Sequence, residues 1–149
     1  MRVRGFETVT KYGGANINLP KRRTAQSAGY DIAAAESAVL KAGLVTKVPT
    51  GLKAYMRSDE FLGVHIRSGL SVNNALSLVN GQGIIDADYY NNPDNEGHII
   101  IAFLNHSGTD VTIEKGERIA QGIFYKYLMA DGDREQKKEA RRGGFGSTG

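Results

Sequence analysis

The sequence predicts a single all-β domain, a distorted jelly-roll-like barrel or sandwich with one short helix and a separate C-terminal arm. Three observations lead there. Turn signals recur at intervals of roughly ten residues, the spacing of short strands in sandwiches and barrels. Nineteen glycines are scattered along the 149 residues rather than gathered in one linker, as tight turns and close backbone approaches require. Runs rich in β-branched and aromatic residues far outnumber segments with helical periodicity.

The elements follow in order. Residues 3–9 alternate apolar and polar side chains, the period of a half-buried strand. Residues 43–55 read as two strands around a turn containing Pro49 and Gly51. Residues 61–67 and 98–105 are further strands, the second nearly all apolar and therefore expected at the centre of a sheet. Residues 118–128 carry Ile119, Ile123, Phe124, Tyr125 and Tyr127 and again favour strand. One short helix is expected within residues 68–78, with Ser68 or Ser71 as its N-cap. Residues 133–142 tolerate helix but carry too little apolar surface to fold independently. Character changes near residue 130, which divides the chain into a β-rich core (1–130) and an arm (131–149) ending Gly143-Gly144-Phe145-Gly146-Ser147-Thr148-Gly149. Such a tail is expected to move freely until something binds.

Composition narrows the function classes. A hydrophobic content of 40% and a charged content of 23% are ordinary for a soluble domain. No run is long enough to span a membrane, and the N-terminal residues lack the apolar stretch of a secretory signal. A cytoplasmic location is the resulting expectation. Without cysteine there is no disulfide framework and no thiolate metal site. A net charge of +3 suits an anionic ligand but is too small to argue for direct nucleic-acid binding. The cluster Lys137, Lys138, Arg141 and Arg142 is broken by Glu135 and Glu139 nearby, which weakens that case further. His65, His98 and His106 lack zinc-motif spacing and read as surface or packing residues; no Walker-type loop is present.

Five segments can carry chemistry, and each also has a plain structural reading. In the tail, successive small residues let backbone N–H groups converge on an anion. Gly146, Ser147 and Thr148 suit phosphate, Arg141 and Arg142 can grip it by charge-assisted hydrogen bonds, and Phe145 offers a face for a nucleobase. The alternative is a solvated terminus. Asp86 and Asp88 lie in Asn80-Gly81-Gln82-Gly83-Ile84-Ile85-Asp86-Ala87-Asp88-Tyr89, which reads as a β-hairpin with an exposed tip. A carboxylate there can activate water or help hold a metal, or simply satisfy a turn. Arg67-Ser68-Gly69 sets a cation, a hydroxyl and helix-start amides together, either a phosphate site or an ordinary helix start. Asp31, in Ala28-Gly29-Tyr30-Asp31-Ile32, is a turn residue or a distant metal partner. Gly116-Glu117-Arg118-Ile119-Ala120-Gln121 reads as a hairpin turn entering a strand, with Arg118 and Gln121 as surface polar residues by default.

In order and spacing, these segments (28–33, 67–70, 80–89, 116–121 and 143–149) resemble the five motifs of the trimeric dUTP pyrophosphatase family. The resemblance implies a jelly-roll-like subunit, a homotrimer with shared active sites, a Mg2+ cofactor, and hydrolysis of dUTP to dUMP and pyrophosphate. It assigns Asp86 to activating the water that attacks the α-phosphorus, and Asp31 to the outer shell of magnesium. Arg67, Ser68, Gly69 and Gln121 fall to the phosphate chain. Asn80, Gly83, Ile85 and the hairpin backbone fall to uracil, Tyr89 to the deoxyribose, Phe145 to the lid over the base, and Gly146, Ser147 and Thr148 to the terminal phosphate. Such a hairpin rejects cytosine by leaving buried groups unpaired and needs a steric wall to refuse the thymine methyl.

Two departures stand out. Family members commonly carry an arginine five residues before the lid aromatic, where this chain has Ala140; Arg141 or Arg142 substitutes. The link Tyr90-Asn91-Asn92-Pro93-Asp94-Asn95-Glu96-Gly97 is longer than usual and reads as a surface loop. The nearest alternative is dCTP deaminase, which shares the fold. Its pattern places a Pro-Gly type turn after Ile-Asp and a second serine after Arg-Ser, where this chain has Ala87-Asp88-Tyr89 and Gly69. A nucleotide-gated protein that captures a regulatory partner is a second alternative, of a different class.

Overall fold

Eleven strands and one short helix make up the chain in a computed structural model that describes residues 1–147. Their order is β1 (Gly5–Thr8), β2 (Tyr30–Ala33), β3 (Ala38–Leu40), β4 (Val45–Pro49), β5 (Leu52–Tyr55), β6 (Glu60–Ile66), α1 (Ser68–Asn74), β7 (Leu76–Leu78), β8 (Gly83–Asp86), β9 (Ile100–Asn105), β10 (Val111–Ile113) and β11 (Arg118–Lys126). All pairings are antiparallel. A four-stranded sheet runs β2-β11-β6-β8, a three-stranded sheet runs β4-β9-β7, and β1 with β5 and β3 with β10 form two-stranded ribbons.

Alternation explains what holds the sheets together. In β9 the residues Ile101, Phe103 and Asn105 point inward while their neighbours are partly exposed, so this strand is central as its apolar run predicted. Ile101 and Phe103 join Val48, Leu76 and Leu78 of their own sheet, Ile32, Leu62, Val64 and Ile119 of the four-stranded sheet, and Leu52 and Ala54 in a single core. Asn105 is fully buried, and its amide nitrogen donates to the carbonyls of Leu40 and Thr109 at 2.8 Å each. A buried amide with both bonds made closes the 105–109 turn without an unpaired polar group. Among the described residues, no helix is long and apolar enough to cross a membrane.

Several local expectations are corrected. The helix ends at Asn74, because Ala75 adopts a left-handed conformation (φ 52°, ψ 43°) and Leu76 and Leu78 then alternate into the core as strand β7. Its N-cap is Arg67, with no side-chain capping bond, not Ser68 or Ser71. Residues 80–89 do not form a hairpin: β7 pairs with β9 and β8 pairs with β6, so the turn at Gly81 (φ 75°) passes the chain from one sheet to the other. The turn at Gly116 (φ 84°) likewise joins β10, paired with β3, to β11, paired with β2 and β6. In both cases burial of Leu78 and Ile113 on distant strands outweighs local pairing. In residues 133–142 only Asp133–Glu135 forms a 3-10 turn.

Segment 90–97 is not a loose surface loop. Asn92 is buried, as are Gly97 and His98. Asn92 Oδ1 accepts the Asp94 and Asn95 backbone amides at 3.0 and 3.1 Å, while Asn92 Nδ2 donates to the Tyr89 carbonyl at 2.7 Å and to Asn95 Oδ1 at 2.8 Å. Glu96 accepts the Thr10 backbone amide at 2.9 Å and pairs with Lys53 Nζ at 2.9 Å. Polar composition here supplies internal hydrogen bonds rather than solvation.

Candidate active site

Asp86 is the last residue of β8, which among the described residues pairs with β6 alone, and there it stands opposite Phe61. A strand end, not a hairpin tip, therefore presents the carboxylate, and its side chain is half exposed. The chain continues as a 3-10 turn, Ala87–Tyr89, which sends Tyr89 back inward to 6% exposure. Tyr89 Oη donates to the His98 carbonyl at 2.7 Å and accepts from Asn95 Nδ2 at 2.8 Å. Burial pushes the Tyr89 hydroxyl pKa up, with the Asn95 amide and the Arg141 charge pulling it partly back. Burial and the Lys11 charge hold His98 below its ordinary value, consistent with its unprotonated Nε2 accepting the Gly51 amide at 2.9 Å.

Asp86 and Tyr89 border a cavity of about 440 Å³ that both main sheets line. Asn80, Gly83, Ile85, Asp86 and Tyr89 come from the 80–89 segment, and Arg141, Gly144 and Phe145 from the arm. Residues no motif indicated complete the wall: Val45 and Lys47 of β4, and Ile100 and Ala102 of β9. Lys47 Nζ stands 4.5 Å from the centre of the Phe145 ring, within cation–π range. A lysine in an amphipathic strand reads as a solvated face, so the sequence carries no signal for this contact.

The arm lies across this wall. Arg141 forms ion pairs with Asp86 and, through Nε at 2.7 Å, with Asp88, and donates from Nη1 to the Gly143 carbonyl at 3.0 Å. Its pKa is raised, chiefly by the hydrogen bond to Asp88. Arg142 is exposed, and its carbonyl accepts the Asp94 amide at 3.1 Å. Of the two candidates, Arg141 is thus the one at the cavity. Gly143 is buried; a Cβ there would lie 2.5 Å from Asp94 Oδ2, and one on Gly144 would lie 3.0 Å from Tyr89 Cε1. A side chain at Gly143 would have to displace that of Asp94, and one at Gly144 would press on the buried Tyr89 ring. Phe145 (φ 49°) and Gly146 (φ 91°) turn the chain, and Ser147 Oγ accepts the Gly143 amide at 3.2 Å. Thr148 lies outside the described residues.

The other predicted residues gather elsewhere. Asp31 on β2 pairs through Oδ2 with Arg118 Nη1 of β11 at 3.1 Å, and only 15% of its side chain is exposed. Arg118 is therefore an ion-pair partner rather than a free surface residue. Gln121 is opposite Asp31 in the ladder and packs its side chain against Gly29. Arg67 donates from Nη1 to the Arg118 carbonyl at 3.2 Å, and Ser68 and Gly69 are exposed beside it at the helix start. None of Asp31, Arg67, Ser68, Gly69 and Gln121 lines the Asp86 cavity. One chain thus carries two separate sets of candidate residues. Among the described residues, no three His, Asp or Glu side chains converge as metal ligands.

A curated deoxyuridine 5'-triphosphate nucleotidohydrolase of Lactococcus lactis is 55% identical over 149 residues, spanning 100% of this chain and 99% of the relative. The crystal structure of dUTPase from Streptococcus mutans matches with a TM-score of 0.81 at 48% identity, covering 86% of this chain and 99% of that one. A mutant dUTPase from phage phi11 of S. aureus, described with the coordination of a structural Mg(II) ion, matches at TM-score 0.73 and 19% identity over 93% of this chain and 98% of that one, a likeness of fold alone. The dUTPase family model matches residues 15–149, and so the chain belongs to the dUTPase family.

Proposed function

We propose that this chain hydrolyses dUTP to dUMP and pyrophosphate, with Asp86 activating the water that attacks the α-phosphorus. The observation that carries the reading is the cavity in which Asp86, the Tyr89 ring and the arm's Arg141 and Phe145 meet. Nucleobase binding falls to Asn80 in the turn before β8 and to Gly83 and Ile85 on the β8 edge, which together offer a fixed set of donors and acceptors, with Phe145 as the lid. Tyr89 supports the deoxyribose and leaves no room for a 2′-hydroxyl. Arg141 begins tied to Asp86 and Asp88. An entering polyphosphate is a stronger partner for a guanidinium than two solvated carboxylates, so it draws Arg141 away and frees Asp86 to accept a proton from water.

Arg67, Ser68, Gly69 and Gln121 are assigned to the phosphate chain, with Gly146, Ser147 and Thr148 closing on its terminal group. Because they stand apart from the Asp86 cavity, a second chain must bring the first four to the reacting phosphorus. Support for a homotrimer with shared active sites lies in that separation. A bound magnesium ion would supply charge neutralisation of the polyphosphate. It ordinarily binds through few protein carboxylates together with water and substrate phosphates. Asp31, already paired with Arg118, suits an outer-shell role through water, and the donor set fits an ion that arrives with the nucleotide. The assigned chemistry acts on a cytoplasmic nucleotide pool.

Pyrophosphate release with magnesium, measured in parallel for dUTP, dTTP, dCTP and UTP, tests the reading. Asp86→Asn is expected to fold and bind dUTP but to lose nearly all turnover. Release at the parent rate by that variant removes Asp86 from the mechanism, and ammonia release from dCTP by the parent would replace the reading with a deaminase.

A further inference from the structure

We propose that segment 90–97 is a brace for the Tyr89 platform, and that Asn95 is the positioning residue through which it sets selection between deoxyribose and ribose. This rests on the reading of Tyr89 given above. Tyr89 is held at both ends by the segment that follows it. Its carbonyl accepts Asn92 Nδ2 at 2.7 Å, and its hydroxyl accepts Asn95 Nδ2 at 2.8 Å. The Asn95 amide oxygen is fully committed: Oδ1 takes the Gly97 amide at 3.1 Å and Asn92 Nδ2 at 2.8 Å. Those bonds fix which edge of the Asn95 amide faces the tyrosine, so the nitrogen can only donate to Oη. The single hydroxyl proton is thereby directed to the His98 carbonyl at 2.7 Å.

The brace is itself anchored. Glu96 holds the Thr10 amide and Lys53, Lys53 Nζ also donates to Asn91 Oδ1 at 2.6 Å, and Tyr90 Oη donates to Glu7. Strand β1, its neighbour β5 and the turn after β1 thus all fix the segment's position. On its other side the segment meets the arm, through the Asp94 amide on the Arg142 carbonyl and Asp94 against Gly143. Gly144 in turn sits on the edge of the Tyr89 ring. A ring that rejects one extra hydroxyl by contact must be held to a fraction of an ångström, and the bonds from Asn92 and Asn95, with the one to the His98 carbonyl, supply that rigidity.

Asn95→Asp is the discriminating variant. It keeps the oxygen that accepts from Gly97 and Asn92, but faces Tyr89 Oη with a second acceptor that the single hydroxyl proton cannot serve alongside His98. Full-length parent, Asn95→Asp, Asn95→Ala, Tyr89→Phe and the double variant Asn95→Asp/Tyr89→Phe are compared for kcat and KM on dUTP and UTP, with thermal melting of each preparation. The expected result is a fall in the dUTP-over-UTP ratio of kcat/KM of roughly 3- to 10-fold in Asn95→Asp, the scale of one hydrogen bond. In the Tyr89→Phe background the same substitution should leave the ratio unchanged, since the hydroxyl it acts through is gone. An equal fall in both backgrounds, or no fall in either, overturns the role of Asn95. A parent enzyme that cleaves dUTP and UTP equally instead overturns the reading of Tyr89, and this inference with it.

Discussion

Arg141→Ala should release the arm from the cavity, and the structure sets the size of the effect. Arg141 makes three contacts, but the bond to the Gly143 carbonyl lies within the arm and does nothing to dock it. The two ion pairs, to Asp86 and Asp88, are the ones that reach the core. Their carboxylates are 50% and 64% exposed, so each pair is worth the roughly 0.2–1 kcal/mol of a solvated pair rather than the value of a buried one. Together they favour docking by about 0.4–2 kcal/mol, and losing them lowers the docked-to-free ratio about 2- to 30-fold. The sequence has no tryptophan, so Phe145→Trp introduces a single reporter on the arm. Phe145 is 64% exposed even when docked, which favours fluorescence anisotropy over quenching as the readout. Anisotropy should fall on adding Arg141→Ala, and raising salt should reproduce the fall in the reporter alone, because solvated ion pairs are screened. After Arg141→Ala, salt should have little left to remove. Equal anisotropy and an equal salt response with and without Arg141 would refute docking by these ion pairs.

Two further outcomes concern stability. Phe103 is fully buried at the centre of the core, so Phe103→Ala should cost about 3–5 kcal/mol in denaturant unfolding; a loss under about 1 kcal/mol would show that the two sheets close over the gap. Glu96 is held down to about 2, chiefly by its hydrogen bonds to Thr10 and then by Lys53. A depressed carboxylate lends stability that is present above its ordinary value of 4.5 and lost as pH falls towards 2. The melting-temperature gap between parent and Glu96→Gln should therefore be full near neutrality and close as acid is added below that ordinary value, and a gap that stays constant to the acid limit would remove Glu96 as its source.

Strand identity was legible because it depends on a local period. Residues 61–67, 98–105 and 118–128 became β6, β9 and β11 within a residue or two, since alternation and β-branching are written into each segment. Strand partners were not. The Asn80-Gly81-Gln82-Gly83 stretch has the composition of a hairpin turn, yet the strands on either side of it belong to different sheets. Pairing depends on which distant strand can bury Leu76 and Leu78, and one turn carries no information about that. Segment 90–97 failed for a related reason. Asparagine favours solvated turns when isolated, and only the joint placement of Asn92, Asn95 and Tyr89 turns those polar groups inward.

The candidate site divides along the same line. Motif chemistry named Asp86, Tyr89, Arg141 and Phe145, and all four border one cavity. It gave no hint of Lys47, because a lysine on a half-exposed strand carries no mark of the aromatic ring that settles against it from a hundred residues away. Nor could it tell that Asp31 would spend its charge on Arg118 rather than face Asp86. That pairing has a consequence for charge balance. With Asp31 held by Arg118, and Asp86 and Asp88 held by Arg141, the carboxylates of both residue sets have cationic partners before any nucleotide arrives. A polyphosphate therefore does not enter an open field of positive charge. On the proposed mechanism it competes with carboxylates for the Arg141 guanidinium, and each contact it wins there exposes the group proposed to activate water. Binding and activation are then one exchange of partners, which makes Arg141 the residue whose loss should separate arm docking from the chemistry at Asp86.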